Sequence, residues 1–183
     1  MGGTRPQRKL ILTGDMRRVV GEQRLGFVAT VCPDGTPSLS PKGTTAVWDD
    51  EHIVFADIRS PGTAGNLRAN AAVEVNVVDP IARKGYRFKG EATVLTEGAF
   101  FEEILAFYEN GAAPVRDARS RIRSMVLVKI ERALPLDSPA YDLGTTEEAV
   151  KDQWWSHYAR LANRPPAGAA TTGHDGAGRP LPE

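Results

Sequence analysis

The chain has 183 residues, of which 41% are hydrophobic and 25% charged; it can therefore bury one hydrophobic core, and its length argues against a second full domain. Its 23 Lys and Arg residues equal its 23 Asp and Glu residues, so no overall positive field would draw it to nucleic acid or to an anionic membrane. No apolar run approaches the roughly 18 residues that span a bilayer, and residues 1–9 lack the apolar core of a secretion signal, so we expect a cytoplasmic protein.

The first predicted elements are a flexible arm and a helix. Residues 1–9 are rich in Gly, Arg, Pro and Gln, which is typical of a segment without regular structure. Thr13 or Asp15 provides a side chain that caps a helix start, and apolar residues follow at helical spacing up to about Arg24. The spacing indicates one buried helical face, which we expect to cover an open end of a β-barrel.

Three strands and a short helix follow. Residues 25–31 and 37–47 read as strands, and the Pro-Asp-Gly-Thr sequence between them supplies the turn of a β-hairpin. Residues 52–57 form a third strand of mainly apolar side chains. A helix then begins at Gly62 and ends at Asn70, so it starts shortly beyond the end of the third strand.

The second half of the chain completes the predicted fold. It contains strands at 71–78, 86–95 and 125–130, and helices at 97–110 and from Thr145 or Thr146 to about 163. Six short strands joined mainly by hairpins, with helices at the ends, favour a mainly β fold, a small closed or split barrel, over a doubly wound sheet. We expect one domain over 10–163 and a disordered tail over 164–183, where Pro, Gly, Ala and Thr dominate.

Isolated cysteine and histidine residues indicate neither a disulfide nor a metal site. Cys32 is the only cysteine, and no activating histidine or basic cluster accompanies it. His52 reads as a strand-start residue and His157 as part of a helix face, because neither has a partner at metal-ligand spacing. We therefore predict no metal, and the sequence identifies no general acid or base.

The turn that leads from the third strand into the short helix offers groups that bind a phosphate. It combines backbone N–H groups at a helix start with the hydroxyls of Ser60 and Thr63, the amide of Asn66 and the guanidinium of Arg59. Such groups hold a phosphate without a metal. The turn does not match the G-x-G-x-x-G fingerprint of dinucleotide-binding folds. A capped surface helix without a ligand fits this stretch equally well.

The sequence Ser40-Pro41-Lys42-Gly43 supplies a second candidate wall for a ligand site. Pro41 lacks a backbone donor and Gly43 lacks a side chain, so a strand can leave its ladder here and let a flat ligand approach. Lys42 would place a cation near the electron-rich end of a flavin and stabilise its reduced anion. The alternative is that Lys42 protects an edge strand against unwanted pairing.

Several of these segments together resemble a known family. Residues 25–31, the Pro-Asp-Gly turn, Ser40-Pro41-Lys42-Gly43, Phe55-Ala56-Asp57 and 66–73 are similar in order and spacing to the pyridoxamine 5′-phosphate oxidase-like FMN-binding split-barrel family, over about residues 11–140. The resemblance implies a six-stranded split β-barrel that forms a homodimer, with two FMN molecules in grooves between the subunits.

The resemblance also implies which residues contact the flavin. These are Ser40, Pro41, Lys42 and Gly43 along the ring; Asp57, Ile58, Arg59 and Ser60 along the ribityl chain; Thr63 and Asn66 at the phosphate; and Arg87 and Lys89 as further candidates, including from the other subunit.

Two departures limit what the resemblance implies about the substrate. The vitamin-converting oxidases carry an Arg-Lys pair where this chain has Gly62-Thr63, and they end in an Arg-x-His pattern that residues 131–183 do not contain. The resemblance therefore does not extend to vitamin B6 oxidation. We expect an FMN-dependent oxidoreductase that moves a hydride to or from flavin N5 with a small-molecule substrate. The alternatives are a reductase that uses a deazaflavin, for which Arg59 and Arg68 are extra cations, and a flavin-binding or sensing protein without turnover.

Overall fold

The computed structural model describes residues 11–111 and 115–164, so the predicted arm (1–9) and all of the predicted tail except Arg164 lie outside the described residues. The described residues form five helices and seven strands. The helices are α1 (Gly14–Gln23), α2 (Pro61–Ala69), α3 (Ala99–Glu109), α4 (Ala118–Arg121) and α5 (Glu147–Ala162), and the strands are β1 (Gly26–Val31), β2 (Pro37–Lys42), β3 (Ala46–Val47), β4 (His52–Asp57), β5 (Ala72–Asp79), β6 (Lys84–Leu95) and β7 (Ser124–Asp137).

The strands form one antiparallel sheet in the order β2-β1-β5-β6-β7-β4-β3. The two edge strands, β2 and β3, are consecutive in the chain and only three residues separate them. A flat sheet would hold its edges roughly 29 Å apart, at about 4.8 Å per strand spacing. The four Cα steps from Lys42 to Ala46 reach at most about 15 Å. The sheet must therefore curl until its two edges meet.

This curled sheet confirms the mainly β split barrel expected from the sequence, with one difference in strand count. The predicted second strand, 37–47, is divided into β2 and β3. Thr44 sits in the division, where its hydroxyl accepts a hydrogen bond from Ala56 N (2.9 Å) and donates one to Ala56 O (3.2 Å). Tyr108 Oη donates to Thr44 O at 2.7 Å. These bonds hold the chain as it crosses from one edge of the sheet to the other.

An inner core fills the barrel, and α1 closes one end. Val28, Phe55, Val75 and Phe88 are fully buried inside the curled sheet. Val19 and Val20 of α1 pack into the same cluster, as the helical periodicity predicted. Thr13 caps this helix by accepting a hydrogen bond from Met16 N at 3.3 Å. The strand residues of this cluster that face the barrel interior are Ile53 and Phe55 of β4 and Val126, Val128 and Ile130 of β7.

A second cluster, the outer core, lies on the other face of β4 and β7, under α3. Its members include Phe101, Ile104, Leu105 and Tyr108 of α3 together with Met125 of β7. Because β4 is covered on both faces, it reads as a continuous apolar run and not as an alternating one. The β7 strand runs to Asp137, beyond the predicted end at residue 130, since it pairs with the whole length of β6.

No helix among residues 11–111 and 115–164 combines the length and apolarity needed to cross a membrane.

Candidate functional site

The predicted ring wall and the predicted phosphate wall meet in the structure. Lys42, the last residue of β2, is only 4% exposed. Its Nζ donates to Thr63 Oγ1 at 3.2 Å and to Ser40 Oγ at 2.5 Å. Ser40 pairs with Val28 in the β1–β2 ladder, so Ser40 and Lys42 point toward the inner face of the sheet. The cation of Lys42 therefore lies beside the first turn of α2.

Within the described part of the chain, the hydrogen-bond partners of the Lys42 ammonium are two hydroxyls, and none is a carboxylate. Burial lowers the pKa of Lys42 from its usual value, and the charge of Asp57 acts in the opposite direction. Asp57 is itself buried, at 3% exposed, and its Oδ1 accepts a hydrogen bond from Ser60 N at 2.7 Å. A buried cation without a contacting counter-ion is costly, so this position favours the binding of an anion.

The start of α2 supplies further anion-binding groups beside Lys42. Ser60 occupies the N-cap position, but its side chain makes no capping hydrogen bond, and Pro61 begins the helix. The first-turn amides of Gly62 and Thr63 have no acceptor within the helix, and the first turn carries no acidic residue. Free amides and the positive end of the helix dipole favour an anion at this terminus.

Asn66 lies one turn further along α2 and faces β1. Its Nδ2 donates to Thr30 Oγ1 at 3.0 Å and lies 3.5 Å from Cys32 Sγ. Asn66 is 8% exposed and Thr30 is 4% exposed, so this contact is buried. The amide nitrogen of Asn66 thus anchors the helix to β1. The sequence did not predict this contact of Asn66 with Thr30 and Cys32, because nothing local signals a contact between segments more than 30 residues apart.

The other residues expected along a ligand occupy different surroundings. Pro41 and Gly43 are exposed, and a Cβ built on Gly43 would meet no atom within 4 Å, so the backbone here borders open space. Arg59 is exposed beside the N-terminus of α2. Ile58 packs against the outer core, so only its backbone can face a ligand at the start of α2.

Arg87 and Lys89 are the predicted site residues that the structure does not bring to this group. Phe88, between them on β6, points into the inner core, so both basic side chains lie on the outer face of the sheet. There they pair with Glu74: Arg87 Nε lies 2.9 Å from Oε1, and Lys89 Nζ lies 3.3 Å from Oε2. Lys42 is on the opposite face, so these residues cannot join its site within one subunit.

The outer face of β1 and β2 is apolar and uncovered in the single chain. Its exposed side chains include Phe27 (40% exposed) and Leu39 (66% exposed). The β1–β5 ladder ends at the pair of Ala29 and Glu74, and a cleft of about 410 Å³ opens beyond it between the two strands. Glu74 and Lys89 border this cleft, so the apolar face and the basic residues of β6 form one continuous surface.

The described residues contain no group of three or more His, Cys, Asp and Glu side chains arranged to hold a metal ion. His52 instead contacts Asp49, with Nδ1 2.8 Å from Oδ1. His157 packs edge-on against Trp154 on α5, with ring centroids 5.3 Å apart. Neither histidine hydrogen-bonds to the Lys42 group. Within the described part of the chain, the buried groups of the candidate site are hydroxyls, amides, the Asp57 carboxylate and the Lys42 ammonium.

Comparison with known proteins gives the same fold. A family model described as pyridoxamine 5′-phosphate oxidase matches residues 12–134. The crystal structure of HupZ from Group A Streptococcus is 28% identical, with a TM-score of 0.60, covering 69% of this chain and 94% of that one.

Two more distant structures share the fold. An FMN-binding protein from Syntrophomonas wolfei is 18% identical, with a TM-score of 0.57 and coverage of 69% of this chain and 87% of that chain. An F420 reductase is 22% identical, with a TM-score of 0.51 and coverage of 67% of this chain and 98% of that chain. No curated protein matches the sequence significantly.

Proposed function

This chain belongs to the pyridoxamine 5′-phosphate oxidase family, and we propose that it binds FMN and uses it to oxidise or reduce a small molecule. The observation that carries the proposal is the buried Lys42 ammonium, whose hydrogen-bond partners among the described residues are the hydroxyls of Ser40 on β2 and Thr63 in the first turn of α2. The family and the FMN-binding structural neighbour point to a flavin, and the chemistry of the site points to a phosphate.

The phosphate would bind between Lys42 and the first turn of α2. Lys42 supplies a charge, Thr63 and Ser60 supply hydroxyls, and the free amides of the first turn supply further donors. Asp57 holds the Ser60 amide and so fixes the turn that leads into the helix. This assignment moves Lys42 from the expected ring position to the phosphate, because the structure places its ammonium against Thr63.

The flavin ring would lie along the exposed backbone of Pro41 and Gly43. Pro41 offers no backbone donor and Gly43 no side chain, so a flat ring can approach this segment closely. FMN, when bound, supplies the hydride-transfer chemistry. The residues of this chain bind its phosphate and orient its ring. They supply no side chain that we assign as a general acid or base.

The site also favours a homodimer. Arg87 and Lys89 lie on the outer face of the sheet, so they can reach a flavin only across a subunit interface. The same face carries the exposed Phe27 and Leu39, which a second copy of the chain would cover. We therefore propose that two subunits associate through the outer face of β1 and β2, and that each completes the flavin groove of the other.

Absorbance of the purified protein tests cofactor binding. We expect the bands of oxidised flavin, their loss when the protein is heated and the cofactor removed, and their return when FMN is added to the refolded protein. A protein that stays colourless with FMN, and shows no FMN-dependent rise in melting temperature, would contradict the proposal. A rise with F420 alone would favour the deazaflavin alternative. Two exposed cations support that alternative: Arg59, which precedes α2, and Arg68, in the last turn of α2.

Anaerobic reduction distinguishes an enzyme from a binding protein. Flavin bound to the protein is mixed with NADH or NADPH under anaerobic conditions, and the loss of its visible band is followed against free FMN as the control. Bleaching faster than in the control supports an oxidoreductase. No bleaching with either donor would favour a storage or sensing role.

A further inference from the structure

The C-terminal helix α5 carries an apolar cleft that no described part of the chain fills. The cleft has a volume of about 250 Å³ and is lined by Ile81, from the connection between β5 and β6, and by Trp155, Tyr158, Ala159 and Ala162 of α5. Trp155 is 68% exposed although its indole is the largest side chain on this surface. The cleft shares no residue with the proposed flavin site.

Only the first half of α5 is fixed to the barrel. Val150 is buried, Glu147 pairs with Lys84 at 2.8 Å, and the Arg83 guanidinium lies 4.0 Å from the Trp154 ring centroid. From Trp155 to the end of the helix no residue is buried. A helix of this length gains most of its stability from packing of its apolar face. The second half of α5 therefore lacks the contact that its apolar residues are suited to make.

We propose that residues 180–182 of the same chain, Pro-Leu-Pro, dock in this cleft. The chain continues for 19 residues beyond Arg164, directly from the end of the helix that lines the cleft. Leu181 is the only large aliphatic or aromatic residue among residues 165–183. It is flanked by prolines on both sides, so the chain carries one apolar segment of suitable size after the cleft and close to it.

The chemistry of the segment matches the cleft. Proline-rich segments dock on grooves lined by aromatic side chains, because their extended conformation loses little entropy on binding. Trp155 and Tyr158 are the aromatic residues of this cleft, and the side chain of Leu181 would fill the space beside Ile81 and Ala159. An aliphatic side chain of this size contributes about 1.5–3 kcal/mol when it is fully buried.

The connecting residues are long enough for this contact. Residues 165–179 join the helix to the segment and can span up to roughly 50 Å. The whole of α5 is only about 24 Å long at 1.5 Å per residue. Tethering places the segment at an effective concentration in the millimolar range, so a weak contact is enough to keep the cleft occupied.

The side-chain N–H signals of the three tryptophans, Trp48, Trp154 and Trp155, provide a direct test by NMR on the full chain. The Trp155 signal is assigned with Trp155→Phe. We expect Leu181→Asp to move the Trp155 signal and to leave that of Trp48 in place. Thr171→Asp, which adds the same charge elsewhere in the tail, should move neither, and Leu181→Met should preserve the Trp155 signal of the parent chain.

Two results would overturn the proposal. One is a Trp155 signal that is the same in the parent chain and in Leu181→Asp, which would mean that the cleft is not occupied by residues 180–182. The other is a Trp155 signal that depends on protein concentration and not on Leu181, which would assign the cleft to a second copy of the chain. Neither readout requires bound flavin, so the test is independent of the proposed function.

Discussion

Lys42 is the residue on which the proposed site depends. A buried ammonium whose contacts are the hydroxyls of Ser40 and Thr63 is stabilised further when an anion binds beside it. The alternative, that Lys42 protects an edge strand, requires a side chain that extends into solvent. At 4% exposed, its side chain points inward, and this favours the ligand-binding interpretation.

Replacing Lys42 tests the phosphate assignment. Lys42→Met keeps the length and burial of the side chain but removes the charge. We expect the Kd for FMN to rise about 10- to 150-fold, because a charge-assisted hydrogen bond contributes roughly 1.5–3 kcal/mol. Calorimetric titration measures the change, and Lys129→Met, at an exposed position of β7, is the matched control. Equal affinities in Lys42→Met and the control would contradict the assignment.

The pH dependence of the site follows from the same residue. Burial lowers the pKa of Lys42 in the folded protein below its usual 10.5, and Asp57 partly opposes this shift. Between the lowered pKa and 10.5, the unfolded chain binds more protons than the folded one, so the unliganded protein gains stability as pH rises through this window. Deprotonation of Lys42 in the same window would remove the charge that we propose binds the phosphate.

We therefore expect opposite trends at alkaline pH. FMN affinity should fall as pH rises toward 10.5, while the free energy of unfolding of the protein without FMN should rise relative to Lys42→Met. Titrations with FMN and urea denaturation at several pH values measure the two quantities. The phosphate of FMN is fully ionised throughout this range, so its charge does not contribute to the trend. An affinity that is independent of pH would place the phosphate away from Lys42.

At the scale of elements, the crossing from β2 to β3 holds the two edges of the sheet together. The Thr44 side chain makes two hydrogen bonds to the Ala56 backbone, in place of the backbone bonds of a strand ladder. The Tyr108 hydroxyl of α3 donates a third hydrogen bond to the Thr44 carbonyl. The crossing begins immediately after Lys42. The contact that closes the barrel thus also fixes one wall of the proposed site.

Thr44→Val should weaken this crossing without changing side-chain volume. It removes two hydrogen bonds to a buried strand, so we expect the free energy of unfolding to fall by about 2 kcal/mol. Urea denaturation measures the change. Thr93→Val, at an exposed position of β6, is the control and should change stability by less than about 0.5 kcal/mol. Similar stabilities for both variants would show that Thr44 does not hold the edges together.

At the scale of the whole molecule, the inner and outer faces of the sheet differ in burial and in the residues that they carry. The inner face holds the inner core and the groups that we propose bind phosphate, whereas the outer face of β1 and β2 presents Phe27 and Leu39 to solvent. Arg87 and Lys89 share the outer face. In the dimer that we propose, the inner face of one chain and the outer face of the other would line the same groove.

A charge on the outer face should therefore affect both assembly and cofactor binding. Leu39→Lys removes apolar burial worth roughly 1.5–3 kcal/mol per subunit, so we expect the dimer dissociation constant to rise at least about tenfold. Analytical ultracentrifugation measures assembly and fluorescence titration measures FMN binding, and both should weaken together. Leu143→Lys is the control, because the side chain of Leu143 is already 86% exposed. A variant that stays dimeric, or a monomer with unchanged FMN affinity, would contradict the shared groove.

The sequence was enough to predict most of the elements and the class of fold. Turn chemistry predicted the hairpin, where Asp34 Oδ1 accepts from Thr36 N at 3.0 Å and Gly35 adopts a φ of 83°. Helical periodicity predicted the buried face of α1. These signals are local. Each depends on residues a few positions apart, whose conformational preferences do not depend on the rest of the fold.

Only the tertiary structure decided which candidate residues share a site. Ser40 to Gly43 and Thr63 are about 20 residues apart, and the curl of the sheet brings Lys42 to Thr63. Sheet alternation then places Arg87 and Lys89 on the opposite face, where Glu74 pairs with them. The sequence does not show which face of the sheet a basic residue on a strand occupies, because the face depends on the register with the partner strand. The sequence alone therefore predicts candidate phosphate-binding residues, and the fold places the Lys42 ammonium beside one of them, Thr63.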